Sequence, residues 1–285
     1  MLSGNQKQIA GENALAVQAG RDIYVGMSFS EVKELVHLFL RDNFPKLREE
    51  AKVVAEERVQ TLLSTFERRL AQVVDRIDAT RFREPDVQAA INDAVVASAR
   101  RGADANPDVL CALIAERVAV DPSKFKDMVV SEAVQVVPRL TAVQIKLLVL
   151  ILVVRHFQTS KNSHIFAGYE GLAHATDDFL DASINDISPV QISHIRYTGA
   201  LEVSGGAFAF DIFEHLHGQN SHLGIKETKD FKGVLGMRSP KFVILIERHN
   251  NLRLGNYGLT SVGRAIALAS LTAVFPNLDY NEWLF

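Results

Sequence analysis

The sequence predicts a mainly α protein with four parts: a short N-terminal β-repeat segment, a long amphipathic helix, a helical bundle, and a C-terminal winged-helix-like α+β module. Three observations predict this. Apolar residues recur at helical spacing at Val54, Leu62, Leu63, Phe66, Leu70, Val73, Val74 and Ile77. The unbroken apolar run Leu147–Val154 lies between Lys146 and Arg155. It is far short of the about 20 residues of a membrane span, so it reads as a helix buried on all sides. Glycine-punctuated, β-branched stretches stand at both ends of the helical part. The expected boundaries are 1–26 (β repeats, an oligomerisation segment), 27–80 (long helical segment), 81–160 (bundle) and 161–285 (C-terminal module).

In residues 4–26 an Ala-Gly pair recurs, at Ala10-Gly11 and Ala19-Gly20, with Gly4 as a degenerate earlier copy. Each Gly suits a tight turn and the residues after it suit a short strand. Two or three such rungs cannot bury a core alone. Their expected neighbour is the rest of the chain or the same segment of another subunit, which would bury Ile9, Leu15, Val17, Ile23 and Val25. A disordered tail is the plain alternative.

From Met27 the pattern changes. Ser28-Phe29-Ser30-Glu31 has capping-box spacing, followed by Val32, Leu35, Val36, Leu38 and Phe39 at helical intervals. Pro45 ends or kinks that helix. A second helix is expected from about Lys46 to Ile77. Its other side carries Arg48, Glu49, Glu50, Glu56, Glu57, Arg58, Glu67, Arg68 and Arg69. Such a charge run is either a solvated face or one packed between subunits.

The bundle follows from its start and stop signals. Pro85-Asp86 opens a helix to about Arg101, and Asp108 opens the next after the Gly102–Pro107 loop. Asp121-Pro122-Ser123 opens a third, with Phe125, Met128, Val129, Ala133 and Val136, and Pro138 breaks it. Thr141 caps the buried helix, which ends near Phe157. Short polar connections favour antiparallel packing.

The remainder is mixed. Tyr169–Ala182 reads as helix, and Ser188-Pro189-Val190-Gln191 places Ser at an N-cap and Pro at N1. Gly199–Val203 reads as a turn into a strand, and Gly205-Gly206 as another turn. Residues 218–241 read as a charged surface loop, and Phe242–Glu247 as a strand or a helix start. Leu252–Arg264 reads as turn, strand and cap of a helix through Leu271, in the manner of a wing and closing helix.

Composition narrows the function classes. Net charge is −3, so nothing overall draws the chain to nucleic acid or anionic membrane. The single Cys111 sits in an apolar run, reads as a buried thiol, and fits a reducing compartment. The polar Met1–Lys7 start lacks the apolar core of a secretion signal, and a cytoplasmic protein is expected. His215-Leu216-His217, with Glu214 and His222, is the best metal candidate, since His-x-His suits two rings on one strand face. No cysteine stands near it, so these histidines read as structural or surface residues; no metal, cofactor or catalytic residue is assigned. His37, His156, His164, His174, His194 and His249 are scattered. No Gly-x-Ser-x-Gly elbow, phosphate loop or His-Glu-x-x-His is present. Asp177-Asp178 would diverge on a helix. Lys226, Lys229, Lys232, Arg238 and Lys241 form a modestly basic stretch, diluted by Glu227 and Asp230.

The Ala-Gly repeats ending Gln18-Ala19-Gly20-Arg21-Asp22-Ile23, the helix Ser30–Leu35, Glu132-Ala133 and Pro138–Ile145 resemble an uncharacterised bacterial family. The segment Leu254–Arg264, with its Leu-Thr-x-x-Gly-Arg, resembles abortive-infection alpha-type proteins of phage defence. The resemblance implies a bacterial cytosolic protein linked to phage defence and carries over no catalytic residues. The expectation is a non-enzymatic homo-oligomer, a sensor or scaffold that binds another protein, with no membrane partner. A winged-helix nucleic-acid binder and a hydrolase with a noncontiguous site are the rivals.

Overall fold

The computed structural model describes residues 33–34, 37–38, 49–120, 123–156, 164–203, 211–275, 278 and 280. The expected repeats of residues 1–26, with Ile9, Leu15, Val17, Ile23 and Val25, lie outside them, as do the Ser28–Glu31 cap and the Gly205-Gly206 turn. The described residues form eleven α-helices and one two-stranded antiparallel sheet.

Helix α1 spans Glu49–Gln72. Val59, Leu62, Leu63, Phe66 and Leu70 recur every three or four residues and are buried. The helix stops short of Ile77. A 3-10 turn at Val74–Arg76 breaks the phase, which leaves Val74 exposed, and Ile77 bridges Ala119 instead. Val54, also expected on the apolar face, is exposed in the first turns.

Helices α2 (Pro85–Arg101), α3 (Pro107–Arg117) and α4 (Lys124–Val136) start where the signals placed them. Gly102 ends α2 at φ +57°, a conformation that favours glycine. Arg58 of α1 covers that end by donating to the carbonyls of Ala99 (3.3 Å) and Arg100 (2.8 Å). Ser123 caps α4, although Phe125 and Met128 are exposed.

Helix α5 (Ala142–Arg155) is the centre. Thr141 and Gln144 form a reciprocal capping box, and every side chain from Leu147 to Val154 is fully buried. All-round burial is why the run carries no amphipathic period.

Helix α6 spans Ile165–Thr176, earlier than expected, and α7 spans Pro189–Tyr197 behind its Ser188–Gln191 capping box. Strand β1 (Leu201–Val203) follows, then α8 (Ile212–Gln219). The expected surface loop at 218–241 is largely helix: α9 spans Thr228–Arg238 and α10 spans Pro240–Asn251. Phe231 and Leu235, one turn apart, are fully buried and hold α9 against its neighbours despite two glycines. Phe242–Glu247 is accordingly helix, not strand.

Strand β2 (Tyr257–Leu259) leads into α11 (Ser261–Leu271). It pairs with β1 in the register Leu201–Leu259 and Val203–Tyr257. The strands are joined through α8, α9 and α10, not by a hairpin. Helix α11 packs against α3, α4, α5 and β2, so the last helix closes the bundle. One continuous apolar core runs from Val59 to Tyr280.

Candidate functional site

Three polar constellations stand out. The first is a charged lattice between α2, α3 and α4. Arg81 (on a single 3-10 turn, Ala79–Arg83) donates to Asp127 at 2.5 Å and to the Ala119 carbonyl at 3.0 Å. Arg117 reaches Glu84 and Asp86, each at 3.0 Å, and Asp86 accepts from Ser131 at 2.7 Å. The Ser131 hydroxyl and then Arg117 hold the Asp86 carboxyl below its usual range. Lys126, 1% exposed, pairs with Glu116 at 3.1 Å, and Arg76 pairs with the same carboxylate at 3.2 Å. Cations and carboxylates match within the lattice, so it is a fastening between helices.

The second is a basic cluster at the end of α5. Burial pushes the His156 imidazole down to about 4, with Arg264, Arg155 and His215 adding to the effect. Burial likewise lowers His249 to about 4, and Arg155 acts in the same direction. His215 is lowered chiefly by burial. Arg155 donates to the Tyr257 carbonyl of β2, and His215 Nε2 donates to the Arg155 carbonyl at 3.2 Å. All three imidazoles are therefore neutral at pH 7.

The third is a cleft of about 580 Å³ where α1, α3, α5 and α11 converge. Helix α1 lines it with Thr65, Arg68, Arg69 and Gln72. The start of α3 gives Asn106, Pro107, Asp108 and Val109, and the start of α5 gives Ala142, Ile145 and Lys146. The end of α11 and the residues after it give Ala269, Ser270, Thr272 and Ala273, with Phe179 closing one side. Arg68 pairs with Asp108 at 3.1 Å, and Lys146 pairs with Asp181 at 2.6 Å. Arg69 donates to Gln72 at 3.2 Å, and burial lowers its pKa. Its Nε is buried without a hydrogen-bond partner among the described residues.

The sequence-selected residues fall elsewhere. His215 and His217 lie on helix α8, not on a strand. His217 is committed on both nitrogens: Nε2 donates to the Ile225 carbonyl at 2.8 Å and Nδ1 lies 3.0 Å from the Thr228 hydroxyl. Among the described residues no group of three His, Cys, Asp or Glu could hold a metal ion. Cys111 is buried and donates to the Leu62 carbonyl at 3.7 Å, and burial pushes its thiol pKa up. The expected basic loop is dispersed: Lys232 lies over the Phe213 ring, Arg238 over the Phe166 ring, and Lys241 pairs with Asp177 at 2.6 Å.

Sequence reasoning missed the cleft. Arg68 and Arg69 read as one charge run, yet Arg69 lies three residues after Phe66 and next to Leu70, on the border of the buried face. That border position is the signal in the sequence that it is half-buried.

The Leu-Thr-x-x-Gly-Arg segment is a fastening. Leu259 pairs with Leu201, and the Thr260 hydroxyl donates to the Gly199 carbonyl at 2.6 Å and accepts from Gly263 N at 3.1 Å. One threonine thus caps α11 and ties it to the turn before β1.

The fold is that of a mainly helical protein with a small antiparallel sheet, and no helix among the described residues is long and apolar enough to cross a membrane. The chain belongs to a protein family of unknown function, whose model matches residues 26–228 and 218–284. No curated protein and no solved structure matches it.

Proposed function

We propose that the protein acts by association: a homo-oligomeric interaction protein that scaffolds or senses a further protein, without catalysis of its own. The observation that carries this reading is the outer face of α7 and β1. Val190 is 78% exposed and Tyr197, two turns further on, is 85% exposed, with Val203 on β1 at 51%. Large apolar side chains this open on one short helix suit a contact with another chain. Among the α7 side chains, Arg196 is the one permanent charge and no carboxylate is present, so a second copy meets little repulsion there. The glycine-punctuated repeats of residues 1–26, with Ile9, Leu15, Val17, Ile23 and Val25, supply the other contact. The commitment of His217 and the inert Cys111 thiol support a role without chemistry. The place in phage defence rests on the resemblance of Leu254–Arg264 alone.

The test is the paired change Val190→Glu with Tyr197→Glu. Both positions are open, so folding is retained, and the particle mass falls. An unchanged mass removes α7 from the contact.

A second reading is a winged-helix use of the same module. It is favoured by His194, Arg196 and Tyr197, all exposed on α7 beside the β1–β2 sheet. A gel-shift series across salt concentration tests it, because phosphate contacts give a steep salt dependence.

A further inference from the structure

The geometry points to the cleft between α1, α3, α5 and α11 as a binding site for a phosphorylated small molecule about the size of a mononucleotide. This is independent of the assembly reading. A volume of about 580 Å³ lies within the range of small-molecule sites. Arg68, Arg69 and Lys146 line it, and with Asp108 and Asp181 paired to two of them one cation, Arg69, is left without a carboxylate among the described residues. Asp108 and Asp181 hold Arg68 and Lys146 by ion pairs at 3.1 and 2.6 Å, which orients both cations.

Arg69 is the anchor. It is a half-buried guanidinium whose buried Nε has no partner among the described residues, and its one hydrogen bond there is to neutral Gln72. Nε itself is occluded, so the remaining guanidinium N–H groups are the ones available to the cleft. A phosphate oxygen meets them with complementary charge and geometry.

Two helix N-termini open on the same space. Pro107 and Asp108 begin α3, and Ala142 begins α5. The positive ends of their dipoles add to the attraction for an anion, while the N–H groups of Val109 and Gln144 are already held by Asn106 and Thr141. Phe179, Ile145, Val109 and the small Ala269 and Ala273 add apolar lining. A phosphate takes the cations and a flat, weakly polar body takes the apolar lining.

The experiment titrates the full chain by calorimetry with inorganic phosphate, the four ribonucleoside monophosphates, and adenosine, and follows the melting temperature in parallel. The expected result is that a monophosphate binds and raises the melting temperature, inorganic phosphate does so more weakly, and adenosine does neither. Arg69→Met loses at least about tenfold in affinity. Ala273→Trp, at an exposed position on the cleft wall, blocks the nucleotide and leaves the unliganded melting temperature unchanged. Arg238→Met, remote from the cleft, binds as the parent does. If no phosphorylated compound binds, or if Arg69→Met and Ala273→Trp bind as the parent does, the proposal is overturned.

Discussion

The Cα of Gly263 lies so near the carbonyl oxygen of Ala200 that a Cβ at this position would sit deep inside van der Waals contact with it. That contact seats α11 on the turn before β1. The obstacle is backbone and cannot swing aside, so Gly263→Ala is expected to cost about 3 kcal/mol or more, at the upper end of overpacking penalties. Gly233 is exposed on α9 with open space around its Cα, and Gly233→Ala is expected to stabilise by about 0.5–1 kcal/mol. Urea denaturation of both variants measures the contrast.

Leu150 is fully buried in the middle of α5. Leu150→Asp places an unpaired carboxylate in the core, which costs several kcal/mol and is expected to abolish soluble folding. A soluble Leu150→Asp protein with a cooperative thermal transition contradicts this.

The capping boxes Thr141–Gln144 and Ser188–Gln191 were legible because capping is decided within four residues. The burial of Leu147–Val154 was legible for a similar reason: eight apolar side chains in a row leave no face for water. Helix α9 was not legible. Its two glycines lower local propensity, and the burial of Phe231 and Leu235 that compensates comes from distant segments. The cleft was hidden for the same reason, since Arg69, Asn106, Lys146 and Thr272 meet only in the folded chain. The charges at 226–241 misled because single lysines look alike in sequence whether they face water or, like Lys232, lie over a ring.

Removing Lys126 takes one of two cations from buried Glu116 and leaves it with Arg76. Lys126→Met is expected to cost about 3 kcal/mol. Neutralising both, in Lys126→Met with Glu116→Gln, is expected to recover part of the loss. A double-mutant cycle reads the coupling, and additive losses would show that the pair does not interact.

Burial holds His156 and His249 near 4 in the folded chain, against 6.5 ordinarily. Between those values the unfolded chain binds more protons than the folded one. Their contribution is therefore complete above about pH 6.5 and is lost as pH falls toward 4. For fully buried His249 the loss is about 3 kcal/mol. Arg155 and Arg264 lie beside the cluster and oppose protonation. Denaturation midpoints from pH 8 to 4 should fall along this course, with a shallower decline in His249→Leu.

The central claim is that this chain works as an assembly of its own copies. Light scattering on the full chain and on a chain lacking residues 1–26 tests it most directly. The account predicts a full-length particle whose mass is a multiple of 31.5 kDa, and a lower order for the shortened chain with its helical signal retained. A full-length monomer of 31.5 kDa, or a shortened chain with the same number of copies per particle, would contradict it.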